Sequence, residues 1–284
     1  MSASGRGSDV TGRAISAWIG VALLVAAPAL ADAPRRVVSM NLCTDQLALM
    51  VAAPGQIVSV SYLAQDQAVP ELAALARDLP ANRGLAEEVY LMRPDLVLAG
   101  PWSALATVAM LEGLGIPVVR FAPENRLDDV ETGLRRMGEA LGREARAEAL
   151  IAQFRRDRAA LDARAAMLPT LRAAVYSARG WTSGSDTLAG AILRAAGLSN
   201  IAGEMGLAYG GEVSLEALIL ANPDLLISER PSRGWSEARA LLVHPALQAM
   251  PAYAHGIVPL NDAWSCGTPY VLDAVAQLID ARAP

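Results

Sequence analysis

Apolar and polar residues alternate in blocks along this chain, and the blocks predict strands and helices in turn. Arg36-Val37-Val38-Ser39-Met40 reads as a short strand, and Asn41-Leu42-Cys43-Thr44-Asp45 as the turn into a helix. That helix carries Leu47, Leu49, Met50 and Val51, and Pro54-Gly55 marks its end. Further strands are predicted at 57–60, 96–99 and 118–121, with helices near 85–92 and 103–114. Strands alternating with helices over short connections imply a mostly parallel sheet covered on both faces.

Residues 127–162 break the rhythm. Leu127, Val130, Leu134, Met137 and Leu141 recur at helical spacing, and Leu150, Phe154 and Leu161 continue the stripe between charged positions. The pattern predicts one long amphipathic helix, or two joined near Gly138 and Gly142. As one helix it would extend on the order of 50 Å at about 1.5 Å per residue. After Pro169 the alternation restarts at Ala173-Ala174-Val175-Tyr176 and runs to the end. The chain therefore divides into a lobe at 32–126, a connecting helix at 127–165 and a lobe at 166–284.

The two lobes echo each other. Residues 85–98 align without gaps to 214–227, pairing Glu87 with Glu216, Leu91 with Leu220, Pro94 with Pro223, Asp95 with Asp224 and Leu96 with Leu225. In each copy a helix ends before Pro-Asp and an apolar strand follows, as proline sterics favour.

The N-terminus carries an address. Arg6 and Arg13 precede an uncharged stretch from Ala14 to Ala31 that closes on Ala29-Leu30-Ala31. A basic start, a short apolar centre and a small-residue exit predict a secretory signal peptide over 1–31. No cysteine directly follows the apolar run, so the exported protein is expected to be soluble rather than lipid-anchored.

Composition narrows the chemistry. Of 284 residues, 53% are hydrophobic and 19% charged, which excludes a disordered chain or a coiled-coil rod. All 24 basic residues are arginine, which removes P-loop hydrolases, protein kinases and pyridoxal enzymes, each of which needs a lysine amine. A net charge of −5 without an arginine-rich run argues against nucleic acid as a partner. His244 and His255, the two histidines, leave little for a bare metal site or a catalytic cluster. Ser183-Gly184-Ser185-Asp186 could be a nucleophile turn of a secreted α/β hydrolase, but it lacks the G-x-S-x-G frame. A surface-adhesive protein is disfavoured because nothing is repetitive or of low complexity.

Read together, RVVSMNLCTDQLAL at 36–49, IVSVSYLAQD at 57–66, LMRPDLVLAG at 91–100, WTSGSDTLAGAILRAAGLSNIA at 181–202, VSLEALILANPDLLI at 213–227 and VPLNDAWSCGTPYVLDAVAQL at 258–278 resemble the periplasmic substrate-binding proteins of ABC importers for cobalamin and ferric siderophores. The resemblance covers nearly all of residues 35–282. It implies an α/β fold of two Rossmann-like lobes joined by one long backbone helix, with the ligand in the cleft between them and no enzymatic activity. It implies a metal chelate as ligand (ferric siderophore, cobalamin or heme) and no resident cofactor. Tyr62, Trp181, Asp262 and Trp264 match family positions at the cleft mouth, and Arg83, Trp102, Arg179 and Tyr209 are further candidates. Aromatic faces suit large, semi-rigid ligands because they bury area at little entropic cost.

The expected partner is an ABC permease dimer with its cytoplasmic ATPase, met by a monomer through Glu87 and Glu216. Two departures count against cobalamin itself: Cys266 replaces a cleft arginine of the cobalamin binder, and a tryptophan of that protein falls near Ala81–Arg83 here. Cys43 and Cys266 lie on turns that face the cleft in this family. The alternatives are a lobe-to-lobe disulfide, two free thiols, or a thiolate contact to a chelated metal.

Overall fold

A computed structural model describes Gly5 and residues 33–67, 69–229 and 237–283; the signal peptide expected over 1–31 lies, but for Gly5, outside the described residues. The first sheet has five parallel strands, β1 (Val37–Ser39), β2 (Ile57–Ser61), β3 (Ala81–Asn82), β4 (Leu96–Ala99) and β5 (Val118–Arg120), in the order β3-β2-β1-β4-β5. Helices α1 (Leu42–Val51), α2 (Leu63–Gln67), α3 (Pro70–Ala76), α4 (Ala86–Leu91) and α5 (Leu105–Gly113) connect them. Val37, Val38, Val97 and Leu98 are fully buried, as expected of strands covered on both faces.

After α6 (Leu127–Leu141) and α7 (Glu144–Ala166) come β6 (Leu171–Val175), β7 (Trp181–Ser183), α8 (Leu188–Ala195), β8 (Leu198–Asn200), α9 (Ile201–Glu204), β9 (Gly210–Glu212), α10 (Leu215–Ala221) and β10 (Leu225–Ser228). The described chain closes with α11 (Pro245–Gln248), α12 (Pro251–Ala254), β11 (Val258–Pro259) and α13 (Val271–Arg282). The second sheet is four-stranded and parallel, in the order β11-β10-β6-β8, and β7 pairs antiparallel with β9 in a separate ribbon. No described helix is long and apolar enough to cross a membrane.

The single long helix expected over 127–165 is replaced by the two-helix alternative. Gly142 adopts a left-handed conformation (φ +63°) that ends α6, and α7 folds back along it. Ion pairs Asp128–Arg158 (2.6 Å), Glu131–Arg155 (2.5 Å) and Arg135–Glu148 (3.0 Å) fix the antiparallel register. A Cβ on Gly138 would lie 2.6 Å from the Ala147 Cβ, so glycine is what lets the helices approach there. The apolar stripe of α6 is buried throughout, and Phe154 and Ile151 of α7 are buried with it. The connection between the sheets is α7 alone, about 35 Å long. Near its start Arg146 donates to the Met50 carbonyl of α1 (3.1 Å), and near its end Arg164 pairs with Asp280 of α13 (2.6 Å).

The sequence echo extends to individual hydrogen bonds. In the first copy the Arg36 guanidinium donates to the carbonyls of Met92 and Arg93, at the end of α4. In the second copy Arg172 donates to the equivalent carbonyls of Ala221 and Asn222, at the end of α10. Arg93 and Asn222 both turn the chain with positive φ (+51° and +44°). The Asp95 carboxylate accepts from the backbone N–H groups of Arg35 and Arg36, and Asp224 accepts from that of Arg172. Orphan carbonyls at a helix end need donors, and each copy supplies an arginine.

Candidate functional site

Strand order reverses at β1 and β4, and ligands of open parallel sheets bind outside the carboxyl ends at such a point. A chamber of about 210 Å³ lies there. Its first wall comes from Asn41, Cys43 and Thr44 after β1, Gly100 to Trp102 after β4, and Phe121 to Asn125 after β5. The second half of the chain closes it with Leu188 at the start of α8 and with Trp264, Ser265 and Gly267 before α13. Asn41 caps α1 by accepting from the Cys43 N–H (3.0 Å). Gly100 packs so closely on Asn41 that a Cβ there would lie 2.4 Å from Asn41 Cγ.

The two halves meet covalently and sterically beside this chamber. Cys43 and Cys266 form a disulfide with their Cα atoms 5.2 Å apart, across 223 positions of sequence. One residue on, a Cβ on Gly267 would lie 2.3 Å from the Glu124 Cβ. Burial pushes the Glu124 carboxyl up to about 7; hydrogen bonds from its own backbone and from Gly267 oppose the shift, and the nearby Asp129 adds to it. Asp129 meanwhile caps α6 by accepting from the Asn125 and Arg126 N–H groups. The loop that carries Glu124 is thereby held in place.

A second buried carboxyl belongs to α1. Asp45 of α1 accepts from the Ser61 N–H (3.1 Å) and from the Ser61 hydroxyl, which ties α1 to the end of β2. Burial raises it to about 7 against the opposing hydrogen bonds of Ser39 and Ser61. The next residue is Tyr62, whose N–H donates to the Asn82 carbonyl (2.9 Å).

The expected ligand residues are distributed over several places. Trp102 and Trp264 line the chamber. Trp102 is 85% exposed, while Trp264 is 9% exposed and its indole N–H has no partner among the described residues. Trp264 is therefore a buried wall rather than a residue of the cleft mouth. Tyr209 lines an adjoining groove of about 750 Å³ with Asp186, Arg126 and Arg194, and Asn125 belongs to both spaces. Tyr62 and Arg83 stand together outside the chamber wall, the guanidinium 5.5 Å from the ring centroid. Trp181 is half exposed on β7, opposite Glu212 of β9, while Arg179 occupies a tight turn with φ +58°. Asp262 is exposed, with its carboxyl pushed up by partial burial. Glu87 and Glu216 are exposed in the first turns of α4 and α10.

Sequence reasoning missed Asn41, Phe121, Glu124, Leu188 and Gly267 as chamber residues. The signal that could have found them is position: each follows the carboxyl end of a strand or lies just before or at the start of a helix. As for the hydrolase alternative, His244 spends its Nδ1 accepting from the Ala246 N–H (3.1 Å) as the cap of α11.

Residues 37–262 match the family model described as periplasmic binding protein. The cobalamin-binding protein of Halobacterium salinarum is 26% identical over 255 residues, covering 87% of this chain and 69% of that protein. In fold the chain is similar to the apo periplasmic heme-binding protein of Roseiflexus sp. RS-1, with a TM-score of 0.73 and 24% identity over 88% of this chain and 99% of that one. It is also similar to the periplasmic vitamin B12 binding protein of Vibrio cholerae, with a TM-score of 0.68 and 19% identity over 87% of this chain and 96% of that one.

Proposed function

The chain belongs to the periplasmic binding protein family, and from that premise we propose that it is the solute-binding component of an ABC import system for a metal chelate. The observation that carries this reading is the chamber at the switch point of the first sheet, capped by residues of the second half and walled by Trp102, Phe121 and Trp264. At about 210 Å³ it is smaller than the ~300–1,000 Å³ of ordinary ligand sites, so it forms the inner end of the site. The adjoining groove, at about 750 Å³, supplies the rest. The lobes at 32–126 and 166–284 hold the chelate between them, with Tyr62, Arg83, Arg179, Trp181, Tyr209 and Asp262 contacting it around the rim. A corrinoid, a ferric siderophore or heme fits this mixture of aromatic faces and arginines, which can donate to anionic groups of the chelate.

The protein does no chemistry on its cargo. It is exported by the signal peptide, works as a monomer in the periplasm, and docks on a permease dimer coupled to a cytoplasmic ATPase. Glu87 and Glu216 take equivalent positions in the two copies of the echo, as a two-fold symmetric partner requires.

Tryptophan fluorescence titrated with cyanocobalamin, hemin and a ferric hydroxamate tests the reading. Saturable quenching by one of them, weakened by Trp102→Ala, is expected. Failure of all three to bind, or turnover of an ester substrate that Ser185→Ala abolishes, would overturn it.

A further inference from the structure

The two ends of the disulfide differ in access. Cys43 is partly exposed and lines the chamber, whereas Cys266 is 2% exposed and is not among the chamber's lining residues. The bond joins the first turn of α1 to the turn before α13, so it crosses between the two sheets at the chamber wall. The other covalent link between the sheets is α7, anchored at both ends by Arg146 and Arg164. Two bodies tied at one point can rotate about three axes; tied at a second, distant point they keep rotation only about the line between the ties. With the bond intact, the motion that would part Gly267 from Glu124 is blocked.

We propose that the Cys43–Cys266 bond is a redox-addressable staple of the cleft: a dithiol reductant attacks Cys43 through the chamber and frees the lobes, and a ligand in the chamber shields the bond. The shielding half of this proposal rests on the chamber being the ligand site. In the first step a thiolate of the dithiol attacks Cys43 Sγ, the S–S bond breaks, and its electron pair passes to Cys266 Sγ, which takes up a proton. In the second step the donor's other thiolate attacks the donor sulfur of the mixed disulfide and expels Cys43 as thiolate. Two electrons and two protons move from the dithiol, which becomes a disulfide, to the protein, which becomes a pair of thiols.

Two effects on the rate oppose each other. A buried thiol is a poor leaving group, so attack at Cys43 is handicapped by the departure of Cys266. Cys43 would leave better, since it occupies the first turn of the ten-residue helix α1, where the helix dipole favours a thiolate. Access decides between them: a sulfur that no nucleophile can reach does not react, whatever it would release. The bond is therefore slow to reduce in the folded protein, and reduction runs through Cys43. It becomes slower still when the chamber is filled.

Native oxidised protein treated with a limiting amount of glutathione, a monothiol with no second sulfur to complete the reduction intramolecularly, then quenched with acid before a second glutathione can react, alkylated and mapped by mass spectrometry, tests the route. The expected product carries glutathione on Cys43 and a free thiol at Cys266. Glutathione on Cys266, or no adduct in a day under conditions where urea-unfolded protein reacts, would overturn the proposal. Small-angle scattering of the Cys43→Ser, Cys266→Ser variant should show a larger or broader particle than the oxidised protein, and an unchanged curve would refute the unlocking. The third arm follows dithiothreitol reduction with and without cyanocobalamin, hemin or a ferric hydroxamate at concentrations that saturate the tryptophan quench. At least tenfold slower reduction is expected, and an equal rate with ligand bound would refute the shielding. If none of the three quenches, the ligand reading fails, while the glutathione position and the scattering still decide the staple.

Discussion

Gly267→Ala probes the seam between the two halves directly. The added Cβ would lie 2.3 Å from the Glu124 Cβ and 2.4 Å from its Cγ, about an ångström inside ordinary contact distance. The Glu124 Cβ is bonded to the backbone and cannot swing aside, and the loop beneath it is held by the Asp129 cap. Relief must therefore come from parting the halves, and one residue away the disulfide holds the Cα atoms of Cys43 and Cys266 at 5.2 Å. Overpacking a well-packed contact by one methyl costs about 1–3 kcal/mol, and a contact that cannot yield belongs at the upper end. Without the disulfide the seam can open, so the same substitution should cost less than about 1 kcal/mol.

The assay is a double-mutant cycle of urea unfolding: oxidised wild type, Gly267→Ala, Cys43→Ser with Cys266→Ser, and the triple variant. Because Gly267 and the disulfide are adjacent, an interaction energy of about 1–2 kcal/mol is expected. Costs that add within about 0.5 kcal/mol would refute the idea that the disulfide holds the seam shut. No cost in either background would show that Gly267 and Glu124 are not in contact.

Other expectations follow from the same geometry. The Asp45 carboxyl is raised to about 7 in the folded protein against 3.8 in the unfolded chain, so the folded state binds its proton more tightly. Its stabilising contribution is complete below pH 4 and is lost as pH rises towards 7, by on the order of 4 kcal/mol. Asp45→Asn should flatten that part of the stability–pH profile in urea titrations, and an unchanged slope would refute the assignment. Arg36→Ala and Arg172→Ala each remove donors to a helix end and should each lower the urea midpoint, Arg172→Ala by more because it also loses the ion pair with Glu204 (2.5 Å); a fall confined to one copy would show that the helix-end bonds of the repeat do not contribute alike. Glu87→Arg with Glu216→Arg should abolish uptake while leaving ligand affinity and Tm unchanged, because exposed charges orient docking more than they stabilise the fold; normal uptake at normal protein levels would refute the docking role.

The strand–helix rhythm, the mostly parallel sheets and the two-copy layout were legible in the sequence because each depends on local patterns. An apolar run of four residues, a helical stripe and a Pro-Asp boundary carry their meaning wherever the chain goes next. The echo was legible for the same reason, down to the Pro-Asp pair whose carboxylate accepts from the start of a neighbouring strand in both copies. The arginines that complete each copy were not: Arg36 and Arg172 lie outside the aligned segments and reach α4 and α10 only once the sheets are assembled.

The connecting region shows where periodicity stops informing. An apolar stripe reads the same in one long helix as in two helices folded face to face, because each helix of a hairpin buries one stripe. The difference lies in Gly142, with φ +63°, and in Gly138, which gives Ala147 room, and glycine inside a helical pattern is ambiguous until a partner is seen against it. The chamber was hidden for a related reason. Asn41, Glu124 and Gly267 are unremarkable in their local contexts, and Glu124 acquires its raised pKa from burial beneath a turn more than a hundred residues away. Two cysteines in a chain expected to be exported suggest a bond, but whether they meet depends on how far apart two separate sheets come to rest. That distance depends on how α7 packs between the sheets and on the contact of Gly267 with Glu124, both of which are decided only in the assembled fold.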